Sequence, residues 1–228
     1  LAYHPRVPDR PIAAFFDVDH TLLSVNSGFR WARHQWRAGE LSLREMIQSI
    51  AWLLRYRLSM LDIDAMVAKV ARSYAGTPVA TAEGELRRWV DAELVRFIRP
   101  VGIDRIAGHL RQGHVVAILS SGTRYSLEPL AERLGIEHVL CTQFEELDGQ
   151  LTGRHLAPAC AGLGKVIHAE RFARDHGIDL GRSFFYSDSY SDRAMFERVG
   201  APVAVTPDRR LRRLARSRGW SIEDWRPA

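Results

Sequence analysis

Three apolar runs in this sequence, at 11–16, 115–119 and 183–186, each stop at a cluster of carboxylates or hydroxyls. The clusters are Asp17-Val18-Asp19-His20-Thr21, Ser120-Ser121-Gly122-Thr123 and Ser187-Asp188-Ser189-Tyr190-Ser191-Asp192. A fourth run lies at 202–205, and helical patterns at 102–112, 124–134, 165–176, 192–199 and 209–218 fall between and after the runs. Runs this short are buried strands rather than helices, and their alternation with helices is the mark of an α/β fold with a covered parallel sheet. The expected architecture is a Rossmann-like, doubly wound parallel sheet. Ligands of such sheets sit beyond the carboxyl ends of the strands, where all three clusters fall.

Two further segments complete the organisation. Asp148-Gly149 separates two short alternating stretches between 140 and 156, which predicts a small β-hairpin. Residues 27–100 show amphipathic helical patterns at 29–38, 43–56, 63–75 and 80–97 and no strand signal. They read as a helical cap domain inserted into an α/β core formed by 1–26 and 101–228. Because the insertion starts directly after Asp17–Thr21, it is placed to cover whatever that cluster does. An apolar stretch within it, Ile50-Ala51-Trp52-Leu53-Leu54, reads as packing for the cap or as a surface for an apolar substrate.

Composition removes several function classes. With 46% hydrophobic residues over 228 positions the chain is neither disordered nor fibrous, and its 2 cysteines, Cys141 and Cys160, are expected to be free thiols. The longest apolar candidate for a membrane span, 46–61, is interrupted by Gln48, Arg55 and Arg57, so no integral membrane association is expected. The first ten residues lack the apolar centre of a signal peptide, which makes cytoplasmic the expected location. A net charge of +5 is concentrated in Arg209, Arg210, Arg212, Arg213, Arg216 and Arg218. No aromatic residue interleaves that run, so it reads as a solvated helix face and not as a nucleic-acid surface. Arginine supplies nearly all of the 32 basic residues, and Lys69 and Lys165 are the only lysines. In so biased a composition a lysine is more apt to be needed as lysine.

Each cluster has a structural and a chemical reading. Asp17 and Asp19 share a face if the strand continues through them, or they belong to a turn that merely uses Asp. Ser120, Ser121 and Gly122 either hold an anion on free backbone N–H groups at a helix opening or act as an ordinary helix cap. Asp192 fits a capping box with Ser189, which leaves Asp188 without a structural task. Lys165, after Gly162-Leu163-Gly164, starts the helix before the third run, where an ordinary lysine would be a solvent-exposed side chain.

In this order, at three strand ends and with the rare lysine before the last, the motifs Asp17-Val18-Asp19-His20-Thr21, Ser120, Lys165 and Asp188-Ser189-Tyr190-Ser191-Asp192 resemble the haloacid dehalogenase superfamily. The helical insertion and the hairpin make it similar to the phosphoserine-phosphatase-like subfamily, with a cap of the C1 type. The resemblance implies a phosphatase acting on a small-molecule phosphate monoester through an aspartyl-phosphate. Asp17 would be the nucleophile and Asp19 the acid and base. Asp17, Asp188 and the backbone carbonyl of Asp19 would hold Mg²⁺; Ser120, Ser121, Gly122 and Lys165 would bind phosphate, and Asp192 would orient Lys165. The resemblance makes phosphoserine and histidinol phosphate the leading substrates, with a phosphotransferase or a non-catalytic binding protein as rivals. Ser191 departs from the subfamily's usual Asn, and Asn26 stands where a glutamate usually binds the substrate ammonium group.

Overall fold

The computed structural model describes residues 10–44, 46–47 and 63–226. They build one seven-stranded sheet, ordered β4-β3-β2-β1-β5-β6-β7. The strands are β1 Ala13–Phe16, β2 Val115–Thr123, β3 His138–Leu147, β4 Gln150–Leu156, β5 Phe184–Ser187, β6 Ala201–Val205 and β7 Ser221–Glu223. Every neighbouring pair is parallel except β3 and β4. From β1 the chain winds outward through β2 and β3 on one side and through β5 to β7 on the other, so the sheet opens a crevice at the carboxyl end of β1.

The side chains of β1 explain its central place, since all four are fully buried. Ala14 and Phe16 face a core shared with Ile118, Tyr186 and helices α4 Pro100–Arg111 and α5 Arg124–Leu134. Ala13 and Phe15 face a second core with Ala117, Phe185 and helices α6 Leu163–Asp175, α7 Arg193–Arg198 and α8 Arg209–Arg218. A strand with no polar face needs helices on both sides, and winding in both directions supplies them.

Between β1 and α4 the described residues are helical: α1 Ser27–Arg37, α2 Ile63–Ser73, α3 Val79–Trp89, then a wide turn at Val90–Leu94 and a tight one at Val95–Phe97. The helical reading of 80–97 holds throughout, although regular α-helix ends at Trp89 and the chain continues to Phe97 first widened and then tightened, with αR backbone at Val90, Leu94 and Val95. Trp31 packs edge-on to Trp89 at 5.2 Å and its indole N–H donates to the Tyr74 hydroxyl at 2.8 Å. The expected helix at 43–56 lies largely outside the described residues, and the apolar stretch 50–54 lies wholly outside them.

Three sets of contacts tie this helical segment to the sheet. The two connecting passages pair antiparallel, Leu23 with Ile98, and the Arg99 N–H donates to the Leu22 carbonyl at 2.8 Å. The β3–β4 hairpin clasps it from the other side, through Gly76 N–H to Leu151 O (2.8 Å) and Val79 N–H to Gly149 O (2.9 Å). Arg124 reaches Glu83 at 2.7 Å and Arg87 reaches Glu132 at 2.6 Å across α3 and α5. The hairpin turn forms as its sequence predicts: Asp148 and Gly149 both take positive φ, 50° and 75°, the geometry of a tight two-residue connection.

Two strands differ from expectation. β2 runs on through Thr123, and its register with β3 passes from Ser120–Cys141 to Thr123–Thr142 across a bulge at Ser121 and Gly122. Those residues therefore do not form the first turn of a helix. β7 has no counterpart in the apolar pattern, because Ser221-Ile222-Glu223 at a sheet edge needs no apolar run. Cys141 and Cys160 are both buried free thiols, as expected.

Candidate active site

Asp17 stands directly after β1, its N–H bonded to the Tyr186 carbonyl at 2.9 Å. The chain then leaves the strand: Asp19 is extended (φ −67°, ψ 129°) and His20 takes φ 57°. Asp17 and Asp19 thus approach through a turn, which corrects the expectation that strand alternation aligns them. Both Asp19 oxygens are held, Oδ1 by the Ser27 backbone N–H at 2.8 Å and Oδ2 by the Asn26 side-chain amide at 2.7 Å.

Lys165 is buried, which rules out the solvent-exposed alternative. Its Nζ donates to Asp17 Oδ1 at 2.8 Å and to Asp192 Oδ2 at 2.7 Å. Asp192 Oδ2 accepts a further bond from the Ser187 hydroxyl at 2.7 Å, and its side chain caps no helix. The capping alternative for Asp192 therefore fails. Its other oxygen, Oδ1, is buried with no hydrogen-bond partner. An unsatisfied buried carboxylate oxygen costs enough that a bound water or cation is the usual resolution.

Lys165 enters the site because α6 begins against the loop before it. A Cβ on Gly164 would lie 1.9 Å from the Ala159 carbonyl oxygen. Gly164→Ala is therefore expected to push the start of α6 outward, destabilise the protein by about 1–3 kcal/mol as overpacking does, and lower activity by moving Lys165. Thermal melts and initial rates, compared with Gly108→Ala at a roomy helical glycine of ordinary φ, check this. A Gly164→Ala protein as stable and as active as the wild type overturns it.

Asp188, half-buried at the end of β5, is braced from α8. The Asp208 N–H donates to the Asp188 carbonyl at 2.9 Å, while the Asp208 carboxylate accepts from Tyr190 N–H at 2.8 Å and caps α8 through Arg210 and Leu211 N–H, each 2.8 Å. On β2, Ser120 is buried two residues past the Phe16–Ile118 pairing, level with the start of the Asp17–Asp19 turn. The Thr142 hydroxyl fixes the bulge, donating to Ser121 O at 3.0 Å and accepting from Cys160 N–H at 3.1 Å. Asp208 and Thr142 were not singled out from sequence. Asp208 was visible as an acidic cap before a helical pattern, whereas nothing in the sequence marks Thr142.

The electrostatics follow from packing several carboxylates around one ammonium. Burial, reinforced by Asp192 and Asp19 and opposed by Lys165, pushes Asp17 up to about 7. Asp188 is held well above the usual carboxylate range by burial and then by Asp17 and Asp192. Burial also raises Asp19, against the side chain and backbone N–H of Ser27, which favour its charged form. Among the described residues no trio of His, Cys, Asp and Glu side chains forms a metal cluster. What the site offers instead is two carboxylates, Asp17 and Asp188, close enough that the first raises the second. Such an all-oxygen set suits Mg²⁺, and a cation there would relieve the repulsion.

Comparison with known proteins bears on the family and the fold. The family model for haloacid dehalogenase-like hydrolase matches residues 14–197. A phosphoserine phosphatase of Mycobacterium tuberculosis is 33% identical over 225 residues, covering 96% of this chain and 73% of that one. A histidinol-phosphatase of Neisseria meningitidis is 29% identical, covering 92% and 96%. Among solved structures, a Bordetella pertussis protein of unknown function superposes with a TM-score of 0.86 at 27% identity over 95% of this chain and 100% of that one. A phospho-aspartyl intermediate analogue of a phosphoserine phosphatase shares the fold, with a TM-score of 0.69 at 20% identity over 95% and 94%. The chain belongs to the haloacid dehalogenase-like hydrolases. Within that family it is an enzyme of the phosphatase kind, phosphoserine-phosphatase-like in fold.

Proposed function

We propose that this protein is a Mg²⁺-dependent phosphomonoesterase that hydrolyses a small soluble phosphate monoester through an aspartyl-phosphate on Asp17. The observation that carries the proposal is the buried Lys165 ammonium bonded to both Asp17 and Asp192 at the carboxyl ends of the central strands. In the first step an Asp17 oxygen attacks phosphorus as the bond to the leaving oxygen breaks, and Asp19 gives that oxygen a proton. In the second, Asp19 takes a proton from the water that attacks the phosphorylated Asp17, releasing phosphate and restoring the carboxylate. Splitting hydrolysis this way replaces one difficult step with two easier ones. Ser120, the backbone at Ser121 and Gly122, and Lys165 bind the phosphoryl oxygens, the positioning and charge stabilisation on which phosphoryl transfer depends. Asp192 holds Lys165 in place.

Asp17, Asp188 and the Asp19 carbonyl would hold Mg²⁺, which supplies charge neutralisation for the phosphoryl group when bound. Residues 27–100 act as the cap domain over the core of 1–26 and 101–228, and choose the substrate. Phosphoserine and histidinol phosphate are the leading substrates, in line with the names of the two relatives. The expected location is cytoplasmic; among the described residues no helix is long and apolar enough to cross a membrane.

Assay of a panel of phosphorylated metabolites with Mg²⁺ tests the reading, and turnover of none of them would sink it. Ca²⁺ in place of Mg²⁺ is expected to inhibit, since its looser, higher coordination lets Asp17 bind through both oxygens and removes it from attack. Equal rates in EDTA and Mg²⁺ would exclude the metal. A second readout needs no substrate. Asp17 is pushed up to about 7, so below that pH it carries a proton that a cation must displace. The rise in thermal midpoint on adding Mg²⁺ is therefore expected to grow from pH 6 to pH 8. A shift independent of pH, or no shift, contradicts the assigned ligand set.

A further inference from the structure

The carboxylate read above as the acid and base does not stand free at its turn. Asp19 lies outside helix α1, yet its Oδ1 accepts the N–H of Ser27, the first residue of that helix, at 2.8 Å. Asn26 is the residue that caps the same helix: its Oδ1 accepts the Phe29 N–H at 2.8 Å. Because the helix N–H requires an acceptor, the orientation of the Asn26 amide is fixed, and its NH₂ is left facing Asp19 Oδ2 at 2.7 Å. The first turn of α1 contains no acidic residue, so the negative charge that favours a helix start comes from Asp19. The backbone leading into Asn26 is itself anchored, with His20 N–H on Val25 O at 3.2 Å and Ser24 N–H on Phe97 O at 2.9 Å.

We propose that Asn26 is a positioning residue for Asp19, one side chain that caps the first helix of the insertion with its oxygen and aims the acid and base carboxylate with its nitrogen. This rests on the reading of Asp19 as that group. The two-sided contact makes the start of the helical segment and the direction of proton delivery a single unit. A substitution that keeps the cap and removes the N–H donor separates the two tasks. Serine does so, because its hydroxyl caps helices as well as Asn does but is one heavy atom too short to reach Asp19.

The test compares kcat/KM on two monoesters that lack an ammonium group and differ in leaving-group basicity, p-nitrophenyl phosphate, whose phenolate leaves without much protonation, and benzyl phosphate, whose alkoxide needs a proton. General acid help is worth about a hundredfold or more, so Asp19→Asn is expected to lose at least that on benzyl phosphate and much less on p-nitrophenyl phosphate. Asn26→Ser is expected to show the same asymmetry in smaller measure, about tenfold on benzyl phosphate and under about threefold on the aryl ester. Its thermal midpoint should stay near that of the wild type, whereas Asn26→Ala, which lacks the cap, melts earlier. A purely structural role would lower both rates by the same factor in Asn26→Ser. That outcome, or no loss at all, overturns the assignment of Asn26 alone, provided Asp19→Asn shows the asymmetry. If Asp19→Asn loses both substrates equally, the acid and base reading fails and takes Asn26 with it.

Discussion

Asp17→Asn is expected to abolish turnover, to below a few per cent of the wild-type rate, while leaving a protein that folds at least as well. An amide matches the carboxylate in shape and still accepts a hydrogen bond from Lys165, but it cannot form the acyl phosphate. The stability half of the expectation comes from electrostatics. Burial, with Asp192 close by, pushes Asp17 up to about 7 although Lys165 pulls it the other way. A group raised in the folded state binds more protons there than in the unfolded chain, so its contribution is fully present at low pH and is lost as pH rises through that value. Above about pH 7 the native enzyme carries an unfavourable charge that Asn lacks. Metal-free Asp17→Asn should therefore melt at or above the wild type at pH 8, with the difference shrinking towards pH 5. Stability conceded at a reactive site is a common trade. Retention of more than a few per cent of activity removes the covalent mechanism, and a variant that melts lower at pH 8 than at pH 5 relative to wild type contradicts the electrostatic account.

The second large effect is expected at Lys165. Lys165→Arg keeps the charge, yet it should lower kcat at least about a hundredfold, equivalent to about 2.7 kcal/mol of transition-state stabilisation. The ammonium is almost fully buried, and its Nζ meets Asp17 and Asp192 at 2.8 and 2.7 Å with Phe185 5.6 Å away. A guanidinium is planar and wider, and its donors point in fixed directions, so it cannot reproduce two such contacts in the same space. On the proposed role of Lys165 at the transferring group, kcat should fall more than KM rises. Lys69→Arg is the internal control, since Lys69 is exposed on α2. Near-equal, mild effects at the two lysines would show that Lys165 has no special part. A thermal melt of each variant separates loss of chemistry from loss of fold.

The lysine illustrates which parts of the molecule the sequence discloses. Its scarcity in an arginine-rich chain marks Lys165, whereas the close approach of Gly164 to Ala159 that seats it is a property of the fold. Strand ends were legible because a buried parallel strand must be apolar throughout, and a carboxylate such as Asp17 or Asp188 can follow only where the sheet stops. The path of Ser120 to Thr123 was not legible. Its bulge depends on β3 alongside and on the Thr142 hydroxyl, a long-range partner with no local signature. The same holds for the widening of the helix after Trp89, which no residue type in the helical pattern announces. Asn26 was legible only as a departure from the subfamily's pattern. Its bonds to Asp19 and Phe29 exist because a turn and a helix start meet there, which residue types alone do not disclose.

The place of β1 at the middle of the sheet has a consequence for how the polypeptide is made. Of the described strands it leaves the ribosome first, but its two partners, β2 and β5, begin at Val115 and Phe184. At about 5–20 residues per second, the segment Ala13–Phe16, apolar on both faces, waits several seconds for its first neighbour and longer for its second. Pairing of such sequence-distant strands also carries a large loop-closure cost, which slows folding and leaves sticky edges uncovered. The nascent chain is thus most exposed to aggregation, and most dependent on chaperone shielding, in the interval between synthesis of β1 and arrival of the strands that flank it.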